Sequence, residues 1–191
     1  MNSFLSLLIQ HLPIGEVQAD LLLQRSVKRV KKGTVLQRQG EKATIGFFVR
    51  EGLLRAYTLD DKGKEHIFIF APEGWMAGDV ESFTYEAPAE LFVDALEDSI
   101  VEVITPELME QIDPSQAFLR EQNQRLLRRV GVLQRRVLML MSAPAIERYE
   151  HFLETYPQII DRVPQKMIAS YLGITPEALS TLKKKAGLNP H

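Results

Sequence analysis

The sequence predicts an α+β fold: an N-terminal antiparallel β-roll, a long central helix, and a short C-terminal group of helices that includes a helix-turn-helix. Three observations predict it. Residues 25–104 fall into short aromatic and β-branched runs separated by turn residues. Residues 115–142 keep a heptad-like apolar repeat with no internal proline. Residues 164–185 read as two helices joined at a single glycine, Gly173.

The chain opens on MNSFLSLLIQHLPIG, where Phe4, Leu5, Leu7, Leu8, Ile9 and Leu12 are interrupted by Ser6, Gln10 and His11. This pattern fits a short amphipathic helix. With no basic residue ahead of the apolar stretch, it is expected to be neither a secretory signal nor a membrane span, and a cytoplasmic location follows as an expectation. The strand-like runs are IGFFV at 45–49, LLRAYTL at 53–59, HIFIF at 66–70 and LFVDAL at 91–96. Breaks fall at Gly33, Gly40, Gly52, the DDKG of 60–63, the PEG of 72–74 and Glu97-Asp98. The DDKG segment predicts a hairpin turn. No run is followed by a helical segment long enough for a parallel crossover, which favours a roll over an α/β sheet.

Beyond Thr105 the period becomes helical, first over 106–112 and then over 115–142. In the longer segment Leu119, Leu126, Val130, Leu133, Val137 and Leu140 occupy a and d positions, and polar Asn123 completes the register. A lone helix cannot bury such a stripe. It either packs on the chain's own roll or pairs about a two-fold axis, and a parallel homodimer is the expected arrangement. Arg120, Arg125, Arg128, Arg129, Arg135 and Arg136 flank the seam, Pro144 ends it, and a further helix is predicted over 145–154.

The most specific segment is PQKMIASYLGITPEALSTLKKK at 164–185. Pro164 suits a first helical turn, and Met167, Ile168, Tyr171 and Leu172 form one apolar face. Ala169 is small enough to let two steeply crossing helices approach, and Gly173 supplies the turn. Thr175 caps a second helix that begins at Pro176, with Ala178, Leu179 and Leu182 expected to face inward. The opposite stripe carries Glu177, Ser180, Thr181 and Lys184. In a DNA major groove, Thr175 at the start of this helix is expected among the DNA contacts, Glu177 accepts from a cytosine amino group, Ser180 and Thr181 meet base edges, and Lys183, Lys184 and Lys185 neutralise phosphates. The same pattern also fits an ordinary helical hairpin with a solvated polar face.

Composition narrows the classes further. At 45% hydrophobic and 25% charged residues, the chain is neither disordered nor fibrous. It has no cysteine, which excludes disulfides and thiolate-held metals. The net charge of −2 hides an asymmetry: residues 1–113 carry −8 and residues 114–191 carry +6, so the basic part is a candidate polyanion-binding region. His11, His66, His151 and His191 are scattered, and no metal spacing, nucleophile triad or phosphate-cradling loop occurs, so no enzyme and no metal site is expected.

On the motifs Gly33-Thr-Val-Leu, Gly40-Glu41, Gly52-Leu-Leu-Arg-Ala-Tyr, Gly78-Asp79, the long helix and the helix-turn-helix of 165–182, the chain resembles the CRP/FNR regulators, the family of the catabolite activator and the fumarate-nitrate reduction regulator. The resemblance spans nearly the whole length and is nearest to the family's short members. It implies a cyclic-nucleotide-binding-like sensor domain at 1–113, a dimerisation helix at 114–143 and a helix-turn-helix domain at 144–191. Double-stranded DNA, a second copy, a small effector and RNA polymerase are the implied partners, with no membrane. The implied effector pocket involves Gly78, Asp79, Ala89 and Glu90, beside which Trp75 and Met76 could line the roll.

This sequence departs from the family's pattern at three points. Members that bind cyclic AMP hold its sugar with a glycine-glutamate pair and its phosphate with an arginine; the matching positions here read Gly78-Asp79 and Ala89-Glu90. Cyclic AMP is therefore not the expected effector, whose identity stays unknown, and the acidic Glu81, Glu86, Glu90 and Asp94 add negative potential near the presumed site. Pro176 and Thr181 stand where the family often has arginines, and only residues 186–191 follow the last lysine, too short a stretch for a β-wing. An alternative function is a ligand-binding or protein-interaction dimer with a vestigial helix-turn-helix.

Overall fold

The computed structural model describes residues 3–9, 16–43, 45–110 and 116–185, within two compact units, Met1–Ser115 and Gln116–His191. In chain order the first unit holds helices α1 (Phe4–Ile9) and α2 (Glu16–Ser26), then strands β1 (Val27–Val30), β2 (Val35–Gln37), β3 (Gly46–Glu51), β4 (Leu54–Leu59), β5 (Glu65–Ala71) and β6 (Met76–Ala77). Helix α3 (Val80–Tyr85), strands β7 (Phe92–Ala95) and β8 (Ser99–Ile104), and helix α4 (Pro106–Glu110) complete it. The second unit holds α5 (Gln116–Ser142), α6 (Ala145–Thr155), α7 (Gln165–Leu172) and α8 (Pro176–Lys185).

The strands form two four-stranded antiparallel sheets, ordered β1-β8-β3-β6 and β2-β7-β4-β5. Alternation along each strand turns Phe47, Val49, Leu54, Ala56, Val93, Ala95, Val101 and Val103 into the common core. The antiparallel roll expected from the strand runs is therefore present, and the 60–63 turn closes the β4–β5 hairpin through a Gly63 N–H donated to the Asp60 carbonyl at 2.8 Å. Asp60 also accepts from the Lys62 and Lys64 amides and meets His66 Nε2 at 3.0 Å. Its carboxyl consequently sits below the usual carboxylate range, chiefly through His66.

Two helices escaped sequence reading. Helix α2 occupies part of the stretch between the predicted N-terminal helix and the first strand, and α3 lies where only a pocket segment was expected. Helix α1 is fastened from below by a fully buried carboxylate, Glu102 on β8, which accepts from the Ser3 hydroxyl and from the Leu5 amide at 2.8 Å. Phe4 stacks on Phe48 of β3 beside it, ring centroids 5.8 Å apart. Residues 111–115, which include the expected end of the 106–112 helix and the expected start of the long one, lie outside the described residues, as do His11 and 186–191. Among the described residues no helix is long and apolar enough to cross a membrane.

Candidate functional site

In the second unit, α6, α7 and α8 pack on one another about an aromatic trio. Phe152, Tyr156 and Tyr171 lie with ring centroids 5.4 to 5.6 Å apart, with Ile168, Ala169, Leu172 and Leu179 buried around them. Helix α7 begins one residue later than expected. Pro164 is its N-cap, its carbonyl accepting from the Met167 amide at 2.9 Å, because the ψ of 141° is extended and not helical. The helix ends at Gly173, whose φ of 67° is left-handed, and the Gly173 and Ile174 amides close the turn on the Ser170 and Ala169 carbonyls. A side chain at this position would be strained in that conformation.

Thr175 then caps α8, its hydroxyl accepting from the Ala178 amide at 3.2 Å. Glu177 returns the contact: bonds to its own amide and to the Thr175 hydroxyl hold its carboxyl below the usual range. Glu177, Ser180, Thr181, Lys184 and Lys185 all lie exposed along the outer side of the helix, with the Thr181 hydroxyl donating to the Glu177 carbonyl at 2.9 Å. Two expectations need correction. Ala178 faces outward, because the helix phase is set by buried Leu179 and half-buried Leu182, and that phase brings Lys183 inward in its place. Lys183 is half-buried and donates to Gln165 Oε1 on α7 at 3.2 Å, so it belongs to the α7–α8 junction.

The seam of α5 stands uncovered in the single chain. Leu119, Leu126, Val130, Leu133, Val137 and Leu140 are 39% to 59% exposed, Asn123 is exposed among them, and Leu127, Leu138 and Met141 widen the apolar strip on one side. Arg136 does not flank this seam as a solvated cation. Its guanidinium lies 3.9 Å from the centroid of the Tyr171 ring.

In the roll the implied pocket residues are brought together, but in structural work. Asp79 is buried and caps α3: one carboxylate oxygen accepts from the Ser82 amide at 3.0 Å and the other from the Glu90 amide at 2.9 Å. Gly78 has a φ of 150°, a backbone conformation that a residue with a side chain rarely adopts, while a Cβ there would meet the Gly46 backbone only at an ordinary contact distance of 3.5 Å. Ala89 is buried, and its amide and carbonyl bind Glu41 and Gly40, which zips the 78–90 segment onto the loop after β2. Trp75 is half-buried against the core, Met76 pairs with Phe48 on β3, and the Glu90 side chain is exposed. Asp94 does not add charge to this site. Cross-strand pairing places it opposite Arg55, to which it is bonded, and Glu86 meets Lys42 at 3.8 Å.

A cleft of about 80 Å³ lies beside these residues, lined among others by Leu36, Gln37, Arg38, Lys42, Ile45 and Phe47. Among the described residues no group of three or more His, Asp and Glu is placed to hold a metal ion.

A nucleotide-binding type of roll joined to an exposed helix-turn-helix defines the class: a regulator in which a sensing domain is coupled to a DNA-contacting one. Residues 27–113 match the cyclic nucleotide-binding domain. The chain is 27% identical to the anaerobic regulatory protein of Aggregatibacter actinomycetemcomitans, over 86% of this chain and 68% of the relative. It is 28% identical to the fumarate and nitrate reduction regulatory protein of Vibrio cholerae, over 86% and 70%. Its fold is that of FixK2 from Bradyrhizobium japonicum, with a TM-score of 0.71 at 19% identity over 84% of this chain and 83% of that one. A CRP/FNR-family transcriptional regulator from Thermus thermophilus superposes with a TM-score of 0.65 at 18% identity, over 84% and 85%. The chain is thus similar, over most of its length, to DNA-binding transcriptional regulators of the CRP/FNR type, and residues 27–113 carry the match to the cyclic nucleotide-binding domain.

Proposed function

We propose that this chain acts in the cytoplasm as a homodimer joined along α5, presenting Ser180, Thr181 and Glu177 of each α8 to base edges and Lys184 and Lys185 to phosphates. The sensor domain then comprises residues 1–113, the dimerisation helix 114–143 and the DNA-binding domain 144–191, with RNA polymerase a further partner. The observation that carries this reading is one exposed polar and basic stripe on a capped α8, in a unit whose long helix exposes an apolar seam. No arginine lies on that stripe, so phosphate contacts dominate affinity. Fluorescence anisotropy with a duplex selected by the protein from a random library tests it. Lys184→Ala with Lys185→Ala is expected to flatten the slope of log K against log salt by about 2 per protomer, and Lys183→Ala to change it little. Failure to select or bind any duplex would favour the interaction dimer with a vestigial helix-turn-helix.

The roll senses a small molecule other than cyclic AMP. Both Asp79 oxygens are already bonded to backbone amides, and buried Ala89 fills the place of the phosphate-binding arginine. A ligand at 100 times its dissociation constant stabilises a fold by about 2.7 kcal/mol, or several degrees in melting temperature. Millimolar cyclic AMP is expected to leave the melting curve in place. An upward shift of several degrees contradicts this assignment.

A further inference from the structure

We propose that Arg136 is a positioning residue: by gripping Tyr171 it fixes the angle at which α5 presents each helix-turn-helix, and so the spacing of half-sites that the dimer accepts. The inference rests on the DNA-binding dimer described above.

Arg136 leaves α5 at the flank of the seam, between Leu133 and Leu140. Its guanidinium covers the Tyr171 ring at 3.9 Å, and Nη2 donates to the Tyr171 carbonyl at 3.4 Å. Burial lowers its pKa from the ordinary guanidinium value, while Tyr171 and Tyr156 act in the opposite direction. A cation desolvated over an aromatic face is held more firmly than the same contact in water.

The partner residue is what makes the grip consequential. Tyr171 belongs to the aromatic trio with Phe152 of α6 and with Tyr156, so a displacement of its ring displaces the packed core of the whole helix-turn-helix unit. Two residues later comes the turn itself, and the Cβ position of Gly173 lies 3.5 Å from Leu140 Cδ2 and 3.6 Å from Arg148 Nη1. A small cleft between these groups, lined also by Met139 and His151, leaves the Arg148 Nε buried without a hydrogen-bond partner. The Arg136–Tyr171 contact therefore lies beside this cleft. Leu140 takes part in both the seam and the turn, so one short stretch of α5, residues 133–140, faces a second copy through Leu133, Val137 and Leu140 and holds the DNA-binding unit through Arg136.

The chain contains no cysteine, so Ser180→Cys supplies one spin-label site on each exposed α8. In this background, electron–electron double resonance on the full-length dimer is expected to give one narrow distance peak. Arg136→Met, which keeps the apolar stem, is expected to broaden it at least twofold with dimer mass and helix content unchanged. Tyr171→Phe, which keeps the ring and the carbonyl, is expected to retain the narrow peak, and Arg136→Lys to fall between. On the library-selected duplex, Arg136→Met is expected to bind roughly 2- to 30-fold more weakly and to lose discrimination against half-sites moved by a base pair. General destabilisation would weaken all spacings alike. An unchanged distance peak in both Arg136 variants, or a Tyr171→Phe peak as broad as that of Arg136→Met, overturns the proposal while leaving the DNA-binding dimer standing. A wild-type chain that sediments as a monomer overturns the dimer and this inference together.

Discussion

Leu133→Glu is expected to turn the dimer into a monomer at micromolar protomer concentration while leaving each chain folded. The asymmetry between the two states makes the prediction sharp. In the single chain Leu133 is 39% exposed, so a carboxylate there stays hydrated and costs the monomer little. In a parallel two-stranded seam the same position faces its symmetry mate, so two like charges enter an apolar layer together. Each desolvated carboxylate costs several kcal/mol, and every 1.4 kcal/mol is a factor of ten in the dissociation constant. The dimer constant should weaken by two orders of magnitude or more. Sedimentation velocity reads it directly, with circular dichroism as the check on folding. If Leu133→Glu stays dimeric, the two chains meet on another surface and the α5 seam has some other occupant.

The seam was legible because a heptad is a property of one helix, and each of its members can be counted without knowing the fold. What could not be counted was the partner of the next position round. Arg136 sits beside the a and d rows, where charge usually means a solvated flank, and only the packing of α7 against that side of α5 shows it covering Tyr171. The same limit applies on α8. Ala178 fits either side of a helix, so the sequence left the phase open by one residue; Leu179 settles it and carries Lys183 into the junction with Gln165. In the roll, the strand runs and the 60–63 hairpin could be read, but six residues of α3 make too short a window for a helical period. Asp79 therefore looked like a ligand contact when it is the cap of that helix. Side chains joined across non-sequential strands were out of reach altogether, because β4 and β7 are neighbours only once the sheet order is known.

Asp94→Ala is expected to cost the roll about 3 to 5 kcal/mol, because it leaves a buried guanidinium without its main partner. Arg55 on β4 is buried on the face opposite the core, and its Nε and Nη2 donate to the two Asp94 oxygens on β7 at 2.8 and 2.9 Å. Nη1 and Nη2 donate to Glu65 at 2.6 and 3.1 Å, and the guanidinium also covers the Tyr57 ring at 4.1 Å. Burial works against this charge, but the bonds to Asp94 and Glu65 outweigh it and hold the arginine's pKa above its ordinary value. The two carboxylates are not equal. The Asp94 side chain is 12% exposed and the Glu65 side chain 41%, so water replaces much of what Glu65→Ala removes, and that variant should lose only about 1 kcal/mol. Without Asp94 the buried guanidinium keeps donors that water reaches poorly, which is the costly state. Arg55→Met combined with Asp94→Leu removes both charges and should recover much of the loss, because the desolvation penalty goes with them. Urea unfolding at one fixed protomer concentration separates these cases, since dimer dissociation otherwise shifts the midpoint. A loss below about 1 kcal/mol for Asp94→Ala would mean that the pair is hydrated in solution and that β4 and β7 are held by their backbone ladder and the core beneath it.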